Sequence, residues 1–340
     1  MIKKDCVGGR RTHKLTMLLS MGRMEWNCPE FRDDMIGLVT GGYGFIGNQI
    51  VELLAAEFSH VRILDNLSNV ARAVRLPNVN LIKGDIRDTN ITRKACRGVD
   101  VVFHTAAQID VVTSAREPFL DLDNNILGTL SVCEAARACD VPKVIYSSSA
   151  AVYGNADVYP TDELQPIRPL SPYAASKYSG ELYMAAYHNL YDIDTLSLRY
   201  FNVYGPYQRP ENAYSGVISK FFYNAGRNAP IQIHGDGKQT RDFVYVGDVA
   251  KANLLAAKSK ATDIVVNVGS GVETSINDLA NMIIGIVPSN SRIEHVAPRL
   301  GDGRRSLAHV GRSKELIGYE PEIKIEDGLQ KLCRFMKNDN

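Results

Sequence analysis

Tyr173 and Lys177 are the residues whose types and spacing most directly indicate chemistry, because four positions separate them. In a helix, side chains at that spacing lie on one face. A free phenol has a pKa of about 10, so a tyrosine that acts as a base at neutral pH needs a stabilised phenolate. Lowering the pKa by about three units requires roughly 4 kcal/mol of differential stabilisation. The pattern therefore predicts a tyrosine base with an ammonium group beside it.

The surrounding sequence predicts the elements that position this pair. Ser171 is a residue type that caps helices, and Pro172 suits a first helical turn, so we expect a helix to begin here. The apolar run 144–148 predicts a strand, and Ser149 follows it, 24 residues before Tyr173. A serine at a neighbouring strand end can share the proton of a substrate hydroxyl.

A glycine-rich turn near residue 41 indicates a binding site for a dinucleotide. The run 36–40 reads as a buried strand, 48–58 has a helical pattern, and between them lies Gly41-Gly42-Tyr43-Gly44-Phe45-Ile46-Gly47. Glycines let the backbone approach a pyrophosphate, and the helix N-terminus offers N–H groups to it. The next strand ends at Asp65, 24 residues after Gly41, where a carboxylate can bind both ribose hydroxyls and repel a 2′-phosphate. The sequence therefore predicts bound NAD in preference to NADP, and the positive ring of its oxidised nicotinamide would favour the Tyr173 phenolate together with Lys177.

Two later strand ends extend the predicted dinucleotide site. The strand 79–83 leads to Asp85 and Ile86, which fit a contact with the adenine edge. The strand 101–104 leads to the small residues Ala106 and Ala107, which allow close backbone approach to a cofactor. The predicted cofactor-binding residues are Gly41, Gly44, Phe45, Ile46, Gly47, Asp65, Asn66, Asp85, Ile86, Ala106, Ala107, Tyr173 and Lys177.

The repeated alternation of strands and helices predicts an α/β fold, a doubly wound (Rossmann) parallel sheet with a smaller mixed α/β substrate-binding lobe. We place the NAD-binding domain at 35–199 and expect residues of about 243–268 to rejoin it. Residues 200–336 should form mainly the substrate-binding lobe. Residues 1–34 have mixed charge and no clear period, so we expect a disordered extension there.

Composition excludes several functional classes. Lys and Arg total 39 against 38 Asp and Glu, a balance that gives no general attraction to nucleic acid or an anionic membrane. We expect no membrane span, because no run approaches about 18 apolar residues. The six cysteines form no C-x-x-C pair, so we expect no metal site, no disulfide framework and a cytoplasmic location.

The ordered motifs resemble a known family. T-G-x-x-G-F-I-G, S-S-S-x-x-V-Y-G, S-P-Y-x-x-S-K and R-Y-F-N-V-Y-G-P, together with Asp65, are similar to those of extended short-chain dehydrogenase/reductases. The nearest group is the nucleotide-sugar 4-epimerases, typified by UDP-glucose (UDP-galactose) 4-epimerase, over about 35–336. The resemblance implies a catalytic set of Ser149, Tyr173 and Lys177, and it matches Asn125 to an asparagine of the central helix. It also implies a homodimer through paired helices, here 124–138 and 172–190.

The resemblance also implies how a UDP-sugar would bind. It places Asn202, Arg241 and Arg299 at the substrate diphosphate, and it places Asp302 at the uridine ribose. The planar guanidinium fork of arginine matches phosphate oxygens in pairs. Ser306, four residues after Asp302, corresponds to a position that is small in members that accept N-acetylated hexosamines. A serine there leaves space for a 2-acetamido group.

The residues after Ser149 restrict the reaction. Related 4,6-dehydratases carry an acid pair where this chain has Ala150 and Ala151, and a methyl group cannot donate the proton that elimination of water needs. We therefore expect NAD-dependent C4 epimerisation of a UDP-hexose through a transient 4-keto sugar. UDP-glucose/UDP-galactose and UDP-GlcNAc/UDP-GalNAc are both candidate substrate pairs. A UDP-glucuronate 4-epimerase, a nucleotide-sugar reductase and a non-catalytic NAD(P)-sensing regulator remain as alternatives, although a regulator has no need for the complete catalytic set.

Overall fold

The computed structural model describes residues 34–208, 216–298 and 303–338. Within these ranges the strands are β1 (Ile36–Thr40), β2 (His60–Asp65), β3 (Val79–Lys83), β4 (Val101–His104), β5 (Lys143–Ser149), β6 (Asp194–Tyr200), β7 (Asn202–Tyr204), β8 (Ile231–His234), β9 (Thr240–Tyr245), β10 (Ile264–Val268), β11 (Glu273–Ser275) and β12 (Ile293–Val296). The α-helices are α1 (Phe45–Glu57), α2 (Thr89–Cys96), α3 (Val111–Arg116), α4 (Pro118–Leu122), α5 (Gly128–Ala138), α6 (Pro172–Tyr191), α7 (Val217–Ala225), α8 (Val246–Lys258), α9 (Ile276–Ile286), α10 (Gly311–Ile317) and α11 (Ile325–Asn338). A π-helical segment, Asp123–Leu127, joins α4 to α5, and a 3-10 turn, Ala150–Tyr153, follows β5.

Seven parallel strands of the described residues form the main sheet, in the order β10-β6-β5-β4-β1-β2-β3. The central strands β1, β4 and β5 are buried along nearly their whole length, as expected for a parallel sheet that is covered on both faces. One core cluster contains side chains of α1 and α8, and a second contains side chains of α2, α5 and α6. The predicted doubly wound Rossmann architecture is confirmed.

The order of the strands determines where a ligand can bind. The chain moves outward from β1 to β2 and β3, and it then returns to add β4 on the other side of β1. The carboxyl ends of β1 and β4 therefore lie side by side where the winding direction reverses, which is where open α/β sheets bind their ligands. The glycine-rich turn after β1 and the alanines after β4 meet at this edge.

A smaller mixed α/β lobe lies beyond β6. It contains a three-stranded sheet of order β11-β9-β7, with one antiparallel and one parallel pairing, and a parallel pair of β12 and β8. Its core cluster contains apolar side chains of α7, α9 and α11. Strand β9 belongs to this lobe, whereas β10 pairs with β6 in the main sheet. The boundaries at 35–199 and 200–336 stay a prediction.

Several further properties concern the described residues as a set. None of their helices combines the length and the apolar character needed to cross a lipid bilayer. Their His, Cys, Asp and Glu side chains form no group of three or more that could hold a metal ion. The cysteines in these ranges are unpaired thiols, at Cys96, Cys133, Cys139 and Cys333. Burial raises the pKa of the Cys96 thiol to about 12, so this thiol stays protonated at neutral pH.

His104 joins three elements of the sheet edge. The ring is fully buried at the end of β4, and its Nδ1 lies 2.8 Å from Thr40 Oγ1 at the end of β1. Its Nε2 lies 3.0 Å from Thr129 Oγ1 on α5. Burial, and secondly the charge of Lys177, lowers the pKa of His104 to about 3. The imidazole is therefore neutral at physiological pH and holds the sheet against α5.

We expect His104 to make stability depend on pH. Below its usual pKa of 6.5, the histidine binds a proton in the unfolded chain, whereas in the folded chain it does so only near pH 3. The free energy of unfolding therefore falls as the pH is lowered through this window, by about 1.4 kcal/mol per pH unit from this group. Urea denaturation of the wild type and His104→Gln at pH 7, 6 and 5 should show a shallower dependence in the variant. Equal slopes would contradict the assignment.

Candidate active site

The glycine-rich turn brings backbone close to the carboxyl end of β1. Gly41 adopts φ +69°, a conformation that side chains disfavour, and its N–H donates to Leu64 O at 2.8 Å. A Cβ on Gly47 would lie 2.1 Å from the carbonyl oxygen of Gly41, so only glycine fits at this crossing. Helix α1 begins after Gly44 without a side-chain cap. Its first N–H groups are therefore available to an anionic group in the cleft.

Asp65 organises the loop that faces this turn. Its buried carboxylate accepts hydrogen bonds from Tyr43 N at 3.0 Å and from Leu67 N at 2.8 Å. Nearby, the Asp85 carboxylate accepts from Arg87 and from Asn66 Nδ2, and the hydrogen bond from Arg87 holds the pKa of that carboxyl well below its usual range. Asp85 is therefore ionised, with its charge largely directed at Arg87.

One cleft brings together all of the predicted cofactor residues. Its lining includes the thirteen residues Gly41, Gly44, Phe45, Ile46, Gly47, Asp65, Asn66, Asp85, Ile86, Ala106, Ala107, Tyr173 and Lys177. The empty volume, open solvent included, is about 1430 Å³. The spread of its lining, from the loop after β2 to helix α6, fits an extended ligand such as a dinucleotide.

Helix α6 contributes Tyr173 and Lys177 to the lining of this cleft. The helix begins as predicted, with Ser171 Oγ accepting from Ala174 N at 3.2 Å. Lys177 is buried, and its Nζ donates to Ser147 O, on β5, at 2.8 Å. Ser149 ends the same strand, within hydrogen-bonding reach of the half-buried Tyr173. The fold therefore brings the predicted serine, tyrosine and lysine to one place.

The electrostatics of Tyr173 differ from the expectation drawn from the sequence. Burial raises the pKa of Tyr173, the Ser149 hydrogen bond lowers it, and the charge of Asp121 raises it further. Burial also lowers the pKa of Lys177 to about 8, opposed by the carboxylates of Asp121 and Glu181. Lys177 is not among the groups that shift this pKa, so the chain by itself does not acidify the phenol. The expectation from the sequence combined the charge of Lys177 with that of an oxidised nicotinamide, and it left out the burial of the phenol.

Asn125 is the centre of a buried polar network beneath the tyrosine. Its Nδ2 lies 3.0 Å from Ser176 Oγ, 3.0 Å from Asp121 Oδ1 and 2.9 Å from Gln108 O. Its Oδ1 accepts from Gln108 N at 2.8 Å. The network ties the π-helical segment Asp123–Leu127 to α6, between Tyr173 and Lys177. The sequence analysis missed Asp121, although its position four residues before Asn125 was a usable signal.

A second buried group, the Glu181–Arg199 ion pair, also escaped the sequence analysis. Arg199 Nε and Nη2 donate to the two carboxylate oxygens of Glu181 at 2.9 and 2.7 Å, and Ser148 Oγ donates to the same carboxylate. Both charged side chains are at most 5% exposed. The pair joins α6, β5 and β6 beside the catalytic candidates. Glu181 lies four residues after Lys177 on the helix, which was the available signal.

The predicted substrate-binding residues lie in different places. Asn202 and Arg241 line a second cleft, in the smaller lobe, together with Phe221, Gln232 and His234. Gln208 lines both clefts, so they adjoin. Arg299 and Asp302 lie outside the described residues. Ser306 is half-buried and lines neither cleft; it precedes Leu307 and Ala308, which pair with the backbone of Thr161.

The fold and the two clefts define a dinucleotide-binding α/β enzyme of the extended short-chain dehydrogenase/reductase type. Residues 37–269 match the NAD dependent epimerase/dehydratase family. Since this match covers more than half of the chain, the protein belongs to that family. NAD is therefore its cofactor, as the glycine-rich turn and Asp65 predicted.

Individual relatives agree over nearly the whole chain. A UDP-glucose 4-epimerase of Mycolicibacterium smegmatis is 40% identical over 308 residues, 88% of this chain and 98% of that protein. The crystal structure of a Thermotoga maritima UDP-glucose 4-epimerase with UDP-glucose has a TM-score of 0.86 and 36% identity, covering 90% of this chain and 99% of that one. A UDP-N-acetylglucosamine 4-epimerase from Methanobrevibacter ruminantium M1, in complex with UDP-N-acetylmuramic acid, has a TM-score of 0.86 and 37% identity, covering 91% and 100%. The prediction of an NAD-dependent enzyme of the nucleotide-sugar epimerase type, an isomerase, is confirmed.

The buried ion pair gives a test of what holds α6 in place. Removing one partner leaves an uncompensated buried charge, which costs about 3–5 kcal/mol. Glu181→Leu should lower the free energy of unfolding by that amount, measured by urea denaturation, and Glu181→Leu with Arg199→Met should recover much of it. The control is Asp157→Asn, which breaks an exposed pair with Arg168 and should cost less than about 1 kcal/mol. Equal losses in Glu181→Leu and Asp157→Asn would contradict this role.

Proposed function

We propose that the protein inverts C4 of a UDP-hexose in an NAD-dependent cycle. The observation that carries the proposal is the position of Tyr173, in the lining of the dinucleotide cleft and within reach of Ser149. Oxidation of a sugar hydroxyl to a ketone requires a base for the hydroxyl proton and an acceptor for the hydride on the same carbon. Tyr173 lines the cleft in which the dinucleotide would lie, so both could reach one sugar carbon. The adjoining cleft with Asn202 and Arg241 supplies a place for the nucleotide part of the substrate.

Each catalytic residue has a distinct part in the proposed cycle. Bound NAD supplies reversible hydride acceptance from the sugar carbon and a positive charge. Tyr173 takes the proton of the C4 hydroxyl and later returns it, while Ser149 steadies that oxygen by hydrogen bonding. Lys177, held on the Ser147 carbonyl, orients α6 and contributes positive charge near the phenol. The proton moves at Tyr173 Oη in both half-reactions, so the tyrosine is unchanged after one turnover.

The raised pKa of Tyr173 has a consequence for the order of events. The chain by itself keeps the phenol protonated at neutral pH, because burial disfavours the phenolate. A positive charge beside the phenol, such as an oxidised nicotinamide would supply, would favour the phenolate. The tyrosine therefore becomes an effective base only in the NAD-bound protein, and hydroxyl deprotonation is coupled to the presence of an oxidant.

The UDP part anchors the substrate while the sugar rotates. Arg241 and Asn202 hold the diphosphate in this proposal, with Arg299 at the diphosphate and Asp302 at the uridine ribose. Binding energy from the nucleotide, remote from C4, positions the reacting carbon without fixing the face that the sugar presents. The 4-keto sugar can then rotate and receive the hydride on its opposite face.

We propose UDP-glucose/UDP-galactose and UDP-GlcNAc/UDP-GalNAc as the substrate pairs. Ser306, which the resemblance assigns to the sugar pocket, lines neither cleft and does not carry this proposal. Ala150 and Ala151, which begin the 3-10 turn beside Ser149, provide no acid for elimination. The two crystal structures described above belong to enzymes named for a UDP-hexose and a UDP-N-acetylhexosamine respectively, which supports both pairs.

The assay that tests the reaction supplies UDP-Glc, UDP-GlcNAc and UDP-GlcA separately to the purified protein without added cofactor. We expect the C4 epimer of the first or second substrate in the NMR spectrum, because bound NAD is regenerated in each cycle. If only UDP-GlcA is epimerised, the proposed substrate changes from a UDP-hexose to a UDP-uronic acid. Unchanged sugars in all three samples, from protein that contains NAD, would overturn the epimerase proposal.

Tyr173→Phe is the matching variant. It removes only the hydroxyl, so turnover should fall at least ~10³-fold while NAD remains bound. The control is Tyr183→Phe, which removes a hydroxyl from the same helix at a position outside both cleft linings and should keep wild-type turnover. Wild-type turnover in Tyr173→Phe would contradict its role as the base.

We also propose a homodimer in which the exposed faces of the paired helices meet. Leu182 and Leu190 on α6 are 54% and 71% exposed, and Phe119 on the neighbouring α4 is 80% exposed. Large apolar side chains that are exposed on neighbouring helices are typical of an interaction site. A second copy of the chain, related by a two-fold axis, covers the same face on both subunits.

Light scattering during gel filtration tests the dimer. The wild type should have twice the mass of one chain, and Leu182→Glu should shift it to the monomer because the charge would be buried in the interface. Leu164→Glu changes a leucine that is 86% exposed, in the loop between β5 and α6, and should remain dimeric. A monomeric wild type would contradict the proposal.

The proposed compartment is the cytoplasm. The cysteines at positions 96, 133, 139 and 333 are unpaired thiols. Unpaired thiols persist in a reducing compartment, whereas oxidising ones favour disulfides.

A further inference from the structure

Arg72 and Tyr207 come together at the cleft from distant parts of the chain. Arg72 belongs to the loop between β2 and β3, and Tyr207 follows β7. The guanidinium carbon of Arg72 lies 4.8 Å from the centroid of the Tyr207 ring. Loop residues beside Arg72 line one side of the cleft, and Tyr207 with Gln208 lines another. The Arg72–Tyr207 contact therefore joins two walls of the dinucleotide cleft.

The Tyr207 ring is held in position from behind. Tyr207 adopts φ +68°, a left-handed conformation that is uncommon for a residue with a large side chain. Its ring packs edge-to-face on Phe335 of α11, with the ring centroids 4.6 Å apart. Phe335 is itself half-buried in the lobe core. The lobe thus presents the ring to Arg72 on a supported surface.

Arg72 is held from the opposite wall. Its Nη1 donates to Glu52 Oε2 on α1 at 2.8 Å. The backbone N–H groups of Ala71 and Arg72 donate to the carbonyl oxygen of Tyr43, at 2.8 and 3.2 Å. The loop that carries the guanidinium is therefore attached to the glycine-rich turn, where the pyrophosphate of a dinucleotide would lie. Arg72 reaches Tyr207 from the main-sheet side of the cleft.

We propose that the Arg72–Tyr207 contact retains NAD between turnovers. The inference rests on the proposed function, in which the reduced cofactor must stay until the hydride returns to the sugar. The contact closes the cleft at the loop that follows Asp65, and a bound dinucleotide leaves only when the ring and the guanidinium separate. A cation–π contact suits this role because it is attractive and easily reversible, so the first NAD can still enter.

The test measures NAD release from the purified holoenzyme loaded with radiolabelled NAD. Excess unlabelled NAD is added, and the label that remains bound is followed over time, without any sugar. Tyr207→Leu and Arg72→Met each remove the cation–π contact and should release NAD on the order of 5–30-fold faster. The double variant should release NAD no faster than the quicker single variant, because both changes remove the same contact.

Two matched controls separate this contact from other effects. Tyr207→Phe keeps a ring beneath the guanidinium and should retain the wild-type release rate. Glu52→Gln breaks the ion pair with Arg72 but leaves the guanidinium on the ring, and it should also keep that rate. Thermal melting of every variant, loaded with NAD, shows whether it is folded.

Wild-type release from folded Tyr207→Leu and Arg72→Met would overturn the proposal. Equal acceleration by Glu52→Gln would overturn it as well, because the ion pair rather than the ring contact would then hold the cofactor. Faster release only in the variants that lose the cation–π contact supports it. Release is measured without sugar, so a failure of retention is distinguishable from a failure of epimerisation, which the UDP-sugar assay detects.

Discussion

The hydrogen bond from Lys177 Nζ to the carbonyl oxygen of Ser147 is the interaction on which the geometry of the candidate active site depends. It attaches helix α6 to the carboxyl end of β5, the strand that also ends in Ser149. Tyr173 stands one turn before Lys177, so the same contact sets the distance between the phenol and the serine. Because the ammonium is buried, burial lowers its pKa to about 8, and the site must supply negative charge to keep it protonated.

The buried polar groups around α6 meet that requirement. Asp121 and Glu181 both raise the pKa of Lys177, and each is held by further hydrogen bonds: Asp121 by Asn125, and Glu181 by Arg199. Buried charges are tolerated in a protein interior when they are paired and hydrogen-bonded. Helix α6 is therefore positioned by a connected polar network as well as by apolar packing on the sheet.

Local sequence patterns were sufficient to predict much of the fold and of the cofactor cleft. The short apolar strands, the glycine-rich turn and Asp65 each depend on neighbouring residues, and the carboxyl ends of parallel strands necessarily share one edge of the sheet. For this reason the thirteen predicted cofactor residues lie along a single cleft. The start of α6 was also predictable, since Ser171 and Pro172 act locally. The predicted roles of Arg299 and Asp302 concern positions outside the described residues.

The amino-acid sequence by itself determined the class of fold, the preference for NAD and the residue types available for proton transfer, because these follow from short-range spacing and side-chain chemistry. Tertiary structure alone decided the direction of the Tyr173 pKa, since burial depends on what surrounds the phenol. It likewise decided the Glu181–Arg199 pair and the Arg72–Tyr207 contact, whose members come from separate elements. Charge pairing, desolvation and ring stacking depend on distances in space, and separation along the chain does not specify those distances.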